Sequence, residues 1–405
     1  MLVLYGTMID GISDQALEHA MVVVEEDRIL YAGQEGSYPV PEGTQSVRIE
    51  DAFILPGWID AHIHMSGGES RNRCGDTRDD LLLTAMKDYT ELVDSGITGI
   101  RDMSAFGIAL KRAGEKGILT GPAIFPGGRV LSVTAGHCDF DTVITPEEAN
   151  KRDVTGYIMD GVEGCLKGVR LQFREGAEFI KICATGGVSS AVDNVNDIQF
   201  SNEELKVIVE EAERHGTYVA AHCTGTAGTL QALKAGIGCV EHGVMLDEEC
   251  IELMVNNNVP LVTTLTVALG LADMKNLPEY MMRKAVSIKE SAMKSFEMAR
   301  KAGIRVALGT DYSNSVNTPF SGIGKEFYSL TRCGYTPMEA IKAGTMNGAY
   351  LMKRDHETGS ITAGKKADLM VVKGNPLKNI KVLSDAVNVK LVLINGKICK
   401  NTEEI

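Results

Sequence analysis

None of the nine cysteines stands in a Cys-x-x-Cys pair. The 405-residue chain therefore has no zinc-ribbon or dithiol redox motif, and thiols kept reduced in a reducing compartment are the expected state. Basic residues are also in deficit, with 41 Lys and Arg against 54 Asp and Glu for a net charge of −13. That excess of negative charge opposes nucleic acid or an anionic membrane as a partner. No apolar stretch is long enough to cross a bilayer. The opening run Met1-Leu-Val-Leu-Tyr-Gly6 reads as a strand and has neither the basic region nor the small-residue cleavage site of a signal peptide. A cytoplasmic protein acting on a small molecule is the resulting expectation.

Against those absences stands Leu55-Pro-Gly-Trp-Ile-Asp-Ala-His-Ile-His64, an apolar strand ending in His-x-His. Side chains two apart on a strand share a face, so His62 and His64 can converge on one metal ion. A bare His-x-His also arises in a surface turn. Four further ligand-type residues each end an apolar run, namely Lys181 after Glu178-Phe-Ile, His222 after Tyr218-Val-Ala-Ala, His242 after Val240-Glu, and Asp311 after Val306-Ala-Leu-Gly-Thr. Ligands at the carboxyl ends of successive strands point to one shared centre. For Lys181 alone, an ion pair with Glu178 or Glu241 is the bland alternative. For Asp311 it is a helix N-cap before Tyr312-Ser-Asn.

Residues 1 to about 54 give short strands, Leu2–Tyr5, Ala20–Val24, Arg28–Tyr31 and Ser46–Ile49. The last forty residues add Asp368–Val372 and Lys390–Ile394, the latter before an Asn395-Gly396 hairpin turn. Between these ends, strands alternate with helical segments at Arg78–Ser95, Asn202–His215, Asp247–Asn256, Pro278–Ala302 and Pro337–Ala343. Strand and helix alternation with ligands from many strands predicts an α/β architecture closed as a (β/α)8 TIM barrel spanning 57–356. The segments 1–56 and 357–405 are expected to join as one small β-sandwich module.

The chain resembles the metal-dependent amidohydrolase superfamily. The resemblance rests on Pro56-Gly-Trp-Ile-Asp-Ala-His-Ile-His64, on Gly359-Ser-Ile-Thr-Ala-Gly-Lys-Lys-Ala-Asp-Leu-Met-Val371, and on the ligand series between them. It implies a barrel holding divalent ions, usually zinc. It further implies His62, His64 and Asp311 on one ion, His222 and His242 on a second, and Lys181 carboxylated by carbon dioxide as a bridging carbamate. Asp311 would then also move the proton from water to the leaving nitrogen. His137, in Thr134-Ala-Gly-His-Cys138, is similar to a histidine that hydrogen-bonds the substrate carbonyl in peptidase-like relatives, although a solvent-facing loop histidine reads equally well from the residues. An assembly of like subunits is the corresponding expectation for partners.

Within the superfamily the motifs look most like the imidazolonepropionase-related, prolidase-like metallopeptidases, with Lys181 as the departure from imidazolonepropionases. That implies cleavage of an amide or peptide bond in a dipeptide or N-acyl amino acid with a free carboxylate. Hydrolysis of a cyclic amide, lactone or other ester is the alternative, and a non-catalytic assembly protein the remote one. Thr185-Gly-Gly187 could offer backbone donors to a substrate carboxylate or be a plain turn. Arg101-Asp102 reads best as part of an internal ion pair. Cys183, Cys223 and Cys239 read as small packing residues beside the ligands, and His19, His215 and His356 as surface residues.

Overall fold

Both ends of the chain contribute strands with buried apolar runs, such as residues 20–24 and 369–372, and both ends enter one sheet. The structure, a computed structural model, describes residues 1–66, 77–140, 142–152, 156–271, 274 and 277–403. Its strands in chain order are β1 Leu2–Met8, β2 Leu17–Glu25, β3 Arg28–Gln34, β4 Gln45–Pro56, β5 Trp58–Ile63, β6 Ile97–Asp102, β7 Ala123–Pro126, β8 Leu131–Ser132 and β9 Tyr157–Ile158. They continue with β10 Ile180–Cys183, β11 Val219–Cys223, β12 Cys239–His242, β13 Leu261–Val262, β14 Val306–Ala307, β15 Leu369–Lys373, β16 Val389–Ile394 and β17 Lys397–Asn401.

The terminal strands form a seven-stranded sheet in the order β17-β16-β15-β4-β1-β2-β3. The ladder is a single continuous sheet where two facing sheets are expected, because the long β4 pairs with β1 on one side and with β15 on the other. One face buries Leu4, Val22, Ile54, Leu369 and Leu391. The hairpin between β16 and β17 turns at Asn395 and Gly396, with φ of 48° and 74°. Both values lie in the left-handed region that Asn and Gly tolerate and that a two-residue hairpin requires.

The middle of the chain carries parallel strands interleaved with helices. They fall into a seven-stranded sheet, β14-β13-β12-β11-β10-β8-β9, and a three-stranded sheet, β5-β6-β7. The fold is thus mixed α/β with parallel sheets, and these ladders do not draw a closed barrel. Single backbone hydrogen bonds cross between the sheets, from Ala61 N to Leu308 O at 2.8 Å and from Glu178 N to Pro126 O at 2.8 Å.

The expected helices form close to their predicted limits, as Arg78–Glu91, Asn202–Arg214, Glu248–Asn256, Glu279–Lys301 and Pro337–Ala343. Local sequence explains where several begin. Thr77 with Asp80, Ser201 with Glu204 and Thr336 with Glu339 each form a reciprocal capping box that pairs otherwise orphaned first-turn N–H groups. The first helix tightens into a 3-10 turn over Leu92–Ser95 and stops at Gly96, φ 84°. No helix among the described residues is long and apolar enough to cross a membrane.

Candidate metal centre

The ends of five parallel strands and the loops that follow them line one cavity of about 250 Å³. His62, His64, His137, Lys181, His222, His242 and Asp311 all border it. Strand β5 delivers His62, and His64 follows directly after its end; β10 delivers Lys181, β11 His222 and β12 His242. Asp311 follows β14 and is held against β5 by the Asp311 N to His62 O hydrogen bond of 2.7 Å. No helix begins at Asp311; the next helical turn starts at Phe320, so the N-cap alternative fails.

Each of the four histidines has one ring nitrogen held by a neighbouring protein group. His62 Nδ1 donates to Glu241 at 2.7 Å, and His64 Nδ1 to the Met103 carbonyl at 2.9 Å. His242 Nδ1 pairs with Thr264 Oγ1 at 2.8 Å. His222 Nε2 faces the Gly186 carbonyl at 3.3 Å and Thr224 Oγ1 at 3.0 Å. Such partners fix tautomer and ring orientation, which is how proteins prepare imidazoles for a metal. The remaining Nε2 atoms of His62 and His64 lie 3.5 and 2.9 Å from Asp311 Oδ1. His62, His64 and Asp311 offer ligand atoms all within 4.8 Å of one another.

The electrostatics at three of the four histidines suit cation binding; at His64 burial opposes protonation but the Asp311 contact outweighs it and raises the pKa. Burial first, then the Lys181 charge, lowers the pKa of His62 to about 4. Burial together with the neighbouring histidines and Lys181 also depresses His222 and His242. All three favour the neutral, ligating form. Burial opposes ionisation of Asp311, but His64 and His62 outweigh it and bring that carboxyl down to about 2. His242 and Asp311 have φ of 68° and 60°, a conformation that non-glycine residues adopt at a cost and that clusters at functional sites.

Lys181 is 2% exposed, and among the described residues its Nζ has no hydrogen-bond partner. The ion pair offered as its bland alternative does not form. Glu178 pairs with Lys111, and Glu241 is held by Arg101 and His62. Arg101, itself fully buried, thus makes an internal ion pair, though with Glu241 and not with its neighbour Asp102. Asp102 instead accepts from Met65 N and Ser104.

His137 is buried at 8% exposure, so it is not a solvent-facing loop residue. Its ring stacks on His222 with centroids 4.3 Å apart. The glycine turn after β10 does not present free donors. Gly186 N bonds to Asp197 O at 2.9 Å and Gly187 N to Asp193 Oδ2 at 3.0 Å. Cys183, Cys223 and Cys239 are buried. Burial pushes the Cys223 thiol up to about 12 and raises Cys183 and Cys239 as well, in keeping with packing. His19, His215 and His356 lie at the surface.

Sequence reasoning missed the residues that support this cluster. Asp60 had a readable signal, since it precedes His62 by two on β5 and shares its face. It accepts from Thr310 N at 3.0 Å and Thr310 Oγ1 at 2.5 Å, clipping β5 to the turn that carries Asp311. Thr264, Asp193 and Lys284 had no local signal.

A model of the amidohydrolase family matches residues 53–399. The chain is similar to an ochratoxinase from Aspergillus niger, 34% identical over 419 residues that cover 98% of this chain and 85% of that protein. Among solved structures it is similar to a prolidase complexed with N-methylphosphonate-L-proline, with a TM-score of 0.91, 29% identity, and 99% and 100% of the two chains covered. It is also similar to a Xaa-Pro dipeptidase with bound methionine, with a TM-score of 0.88, 29% identity, and 98% and 99% covered.

Proposed function

The chain belongs to the amidohydrolase family, and from that premise we propose that it is a binuclear, metal-dependent hydrolase that cleaves the amide or peptide bond of a dipeptide or N-acyl amino acid. The observation that carries the metal assignment is the orphaned Lys181 Nζ among His62, His222, His242 and Asp311. An ammonium buried without an acceptor is costly, whereas an amine carboxylated by carbon dioxide becomes an anion suited to that ring of ligands. His62, His64 and Asp311 would hold one ion, His222 and His242 the other, with the Lys181 carbamate shared; zinc fits the nitrogen and oxygen donor set. Bound there, the ions supply polarisation of an amide carbonyl and a water acidic enough to ionise near neutral pH.

The remaining chemistry falls to side chains. The Asp311 carboxylate takes a proton from the attacking water and returns it to the leaving nitrogen, the work of a general base and then a general acid. His137 faces the cavity and steadies the carbonyl oxygen as charge develops on it. Val267, Leu271, Met274, Leu277 and Met281 line the same cavity, and this apolar surface favours a substrate with an apolar side chain. Ser66, Ser313 and Thr318 line the same cavity and make part of its wall polar.

The architecture proposed with this function is a closed (β/α)8 barrel over 57–356, with 1–56 and 357–405 as a separate β-module. Support for closure comes from the hydrogen bonds across both seams, Thr310 N to His62 O at 3.1 Å on one side and Glu178 N to Pro126 O at 2.8 Å on the other. A cytoplasmic location and assembly from like subunits complete the reading.

The test is a substrate panel with metal-loaded protein. Xaa-Pro and other dipeptides and N-acyl amino acids are compared with their carboxamides, and with dihydrouracil, simple lactones and a phosphotriester. Turnover of acyclic amides with a preference for free acids is expected. Faster turnover of the ring amide, lactone or phosphotriester than of every acyclic amide removes the reading.

A further inference from the structure

His137 is held from behind by a carboxylate that nothing in its local sequence announces. Asp193, 56 residues away, accepts from His137 Nδ1 at 3.2 Å. The same oxygen accepts from Gly187 N at 3.0 Å and from Gln199 Nε2 at 3.4 Å. Its other oxygen accepts from Lys284 Nζ at 3.1 Å. Lys284 stands on the Glu279–Lys301 helix with only 14% of its side chain exposed. It also donates to three carbonyls of the loop, those of Gly187 at 3.0 Å, Ser190 at 2.9 Å and Asp193 at 2.5 Å. This lysine ties a distant helix to the segment that faces the cavity.

The ring has little freedom to turn away. A Cβ on Gly187 would lie 2.2 Å from the imidazole Cε1 and 2.5 Å from Nε2, so the glycine is the gap into which the ring fits. The His222 ring stacks on it, and His137 N donates to Gln199 Oε1 at 3.0 Å. Burial raises the Asp193 carboxyl, but His137, Lys284 and the Gly187 N–H outweigh burial and hold it well below the usual carboxylate range. A carboxylate only accepts, so Nδ1 must carry the proton, and Nε2 is the ring nitrogen left over. It makes one long contact, with Ser189 Oγ at 3.4 Å.

We propose that Asp193 and Lys284 are positioning residues for His137: Asp193 fixes the Nδ1–H form and aims Nε2 at the substrate carbonyl, and Lys284 fixes Asp193 together with the loop over residues 187–193. A carboxylate behind Nδ1 orients an imidazole for work at its other nitrogen, here toward a developing oxyanion. This rests on the amide-hydrolase reading and adds to it a device outside the ligand set.

The test is a double-mutant cycle in metal-loaded protein, joined to a spectroscopic readout that needs no substrate. Asp193→Asn is nearly isosteric and should lower kcat by about 10²-fold, the scale of a misplaced catalytic contact, with KM changed little and metal content kept. His137→Asn should do at least as much. The double variant should be no slower than His137→Asn alone, because positioning has no value once the ring is gone. Should Asp193→Asn fail to fold, Lys284→Gln enters the same cycle. In protein labelled with 15N-histidine, the Nδ1-bound proton of His137, assigned by its loss in His137→Asn, should shift in Asp193→Asn. Multiplying losses in the double variant, or an unchanged ring signal, overturns the proposal. If the parent hydrolyses no acyclic amide, the functional reading falls by itself and the ring signal alone decides the positioning.

Discussion

At the residue scale Lys181 is the most consequential side chain. Its Nζ is buried and has no hydrogen-bond partner among the described residues, while both nearby glutamates are engaged elsewhere. In most buried settings a lysine is paired, because an isolated charge is costly away from water. The proposed carbamate would remove that cost and supply the anion that two cations would share. Lys181→Ala is accordingly expected to lose most activity and to regain part of it with propionate, whose carboxylate can occupy the vacated space. Turnover measured across a propionate titration decides the matter, and full activity in the alanine variant without any added carboxylate would show that the lysine has no such role.

At the scale of elements, the arrangement depends on how closely the end of β14 approaches β5. Gly309 sits at that crossing, and a Cβ there would lie 2.7 Å from His62 Cβ and 2.9 Å from His62 N. No side chain fits without moving one strand end from the other. Gly309→Ala is expected to destabilise the fold by about 1–3 kcal/mol, the usual cost of overpacking. It should also weaken metal retention, since His62 and Asp311 would separate. Denaturant midpoints and metal content after dialysis measure the two effects, and a variant matching the parent in both would mean that this crossing is looser than its geometry implies.

At the scale of the whole molecule, ligand-type residues converge from β5, β10, β11, β12 and the turn after β14. Occupation by ions should therefore tie distant segments together. Metal bound to the folded state alone stabilises it by about 2.7 kcal/mol at a hundredfold excess over Kd. Elemental analysis should approach two divalent ions per chain, and stripping them with a chelator should lower the melting temperature reversibly. A fully loaded protein that never exceeds one ion per chain, with no change in melting temperature beyond the first equivalent, would remove the binuclear assignment and leave a one-metal hydrolase.

Much of this was legible in the one-dimensional chain because its causes are local. The two-residue repeat of β5 puts Asp60 and His62 on one face wherever the strand goes. Capping boxes mark helix starts through contacts three residues apart, and Asn395-Gly396 selects its turn through its own backbone preferences. The ends of the strands bearing Lys181, His222, His242 and Asp311 follow from the apolar runs before them. Partner choice was not legible, because it is a competition settled in space. Glu241 stands beside His242 in sequence yet pairs with His62, 179 residues away, and with Arg101, 140 away. That choice leaves Lys181 without a counter-ion. Asp193 and Lys284, 91 residues apart, reach His137 only because a helix packs over a loop. Closure of the ladder, expected from strand and helix alternation, is not settled by the sheets of seven and three strands, since pairing depends on how neighbouring strand ends meet. Local periodicity determined which residues could act together, and tertiary packing decided which of them have partners and which nitrogen of each histidine is left for chemistry.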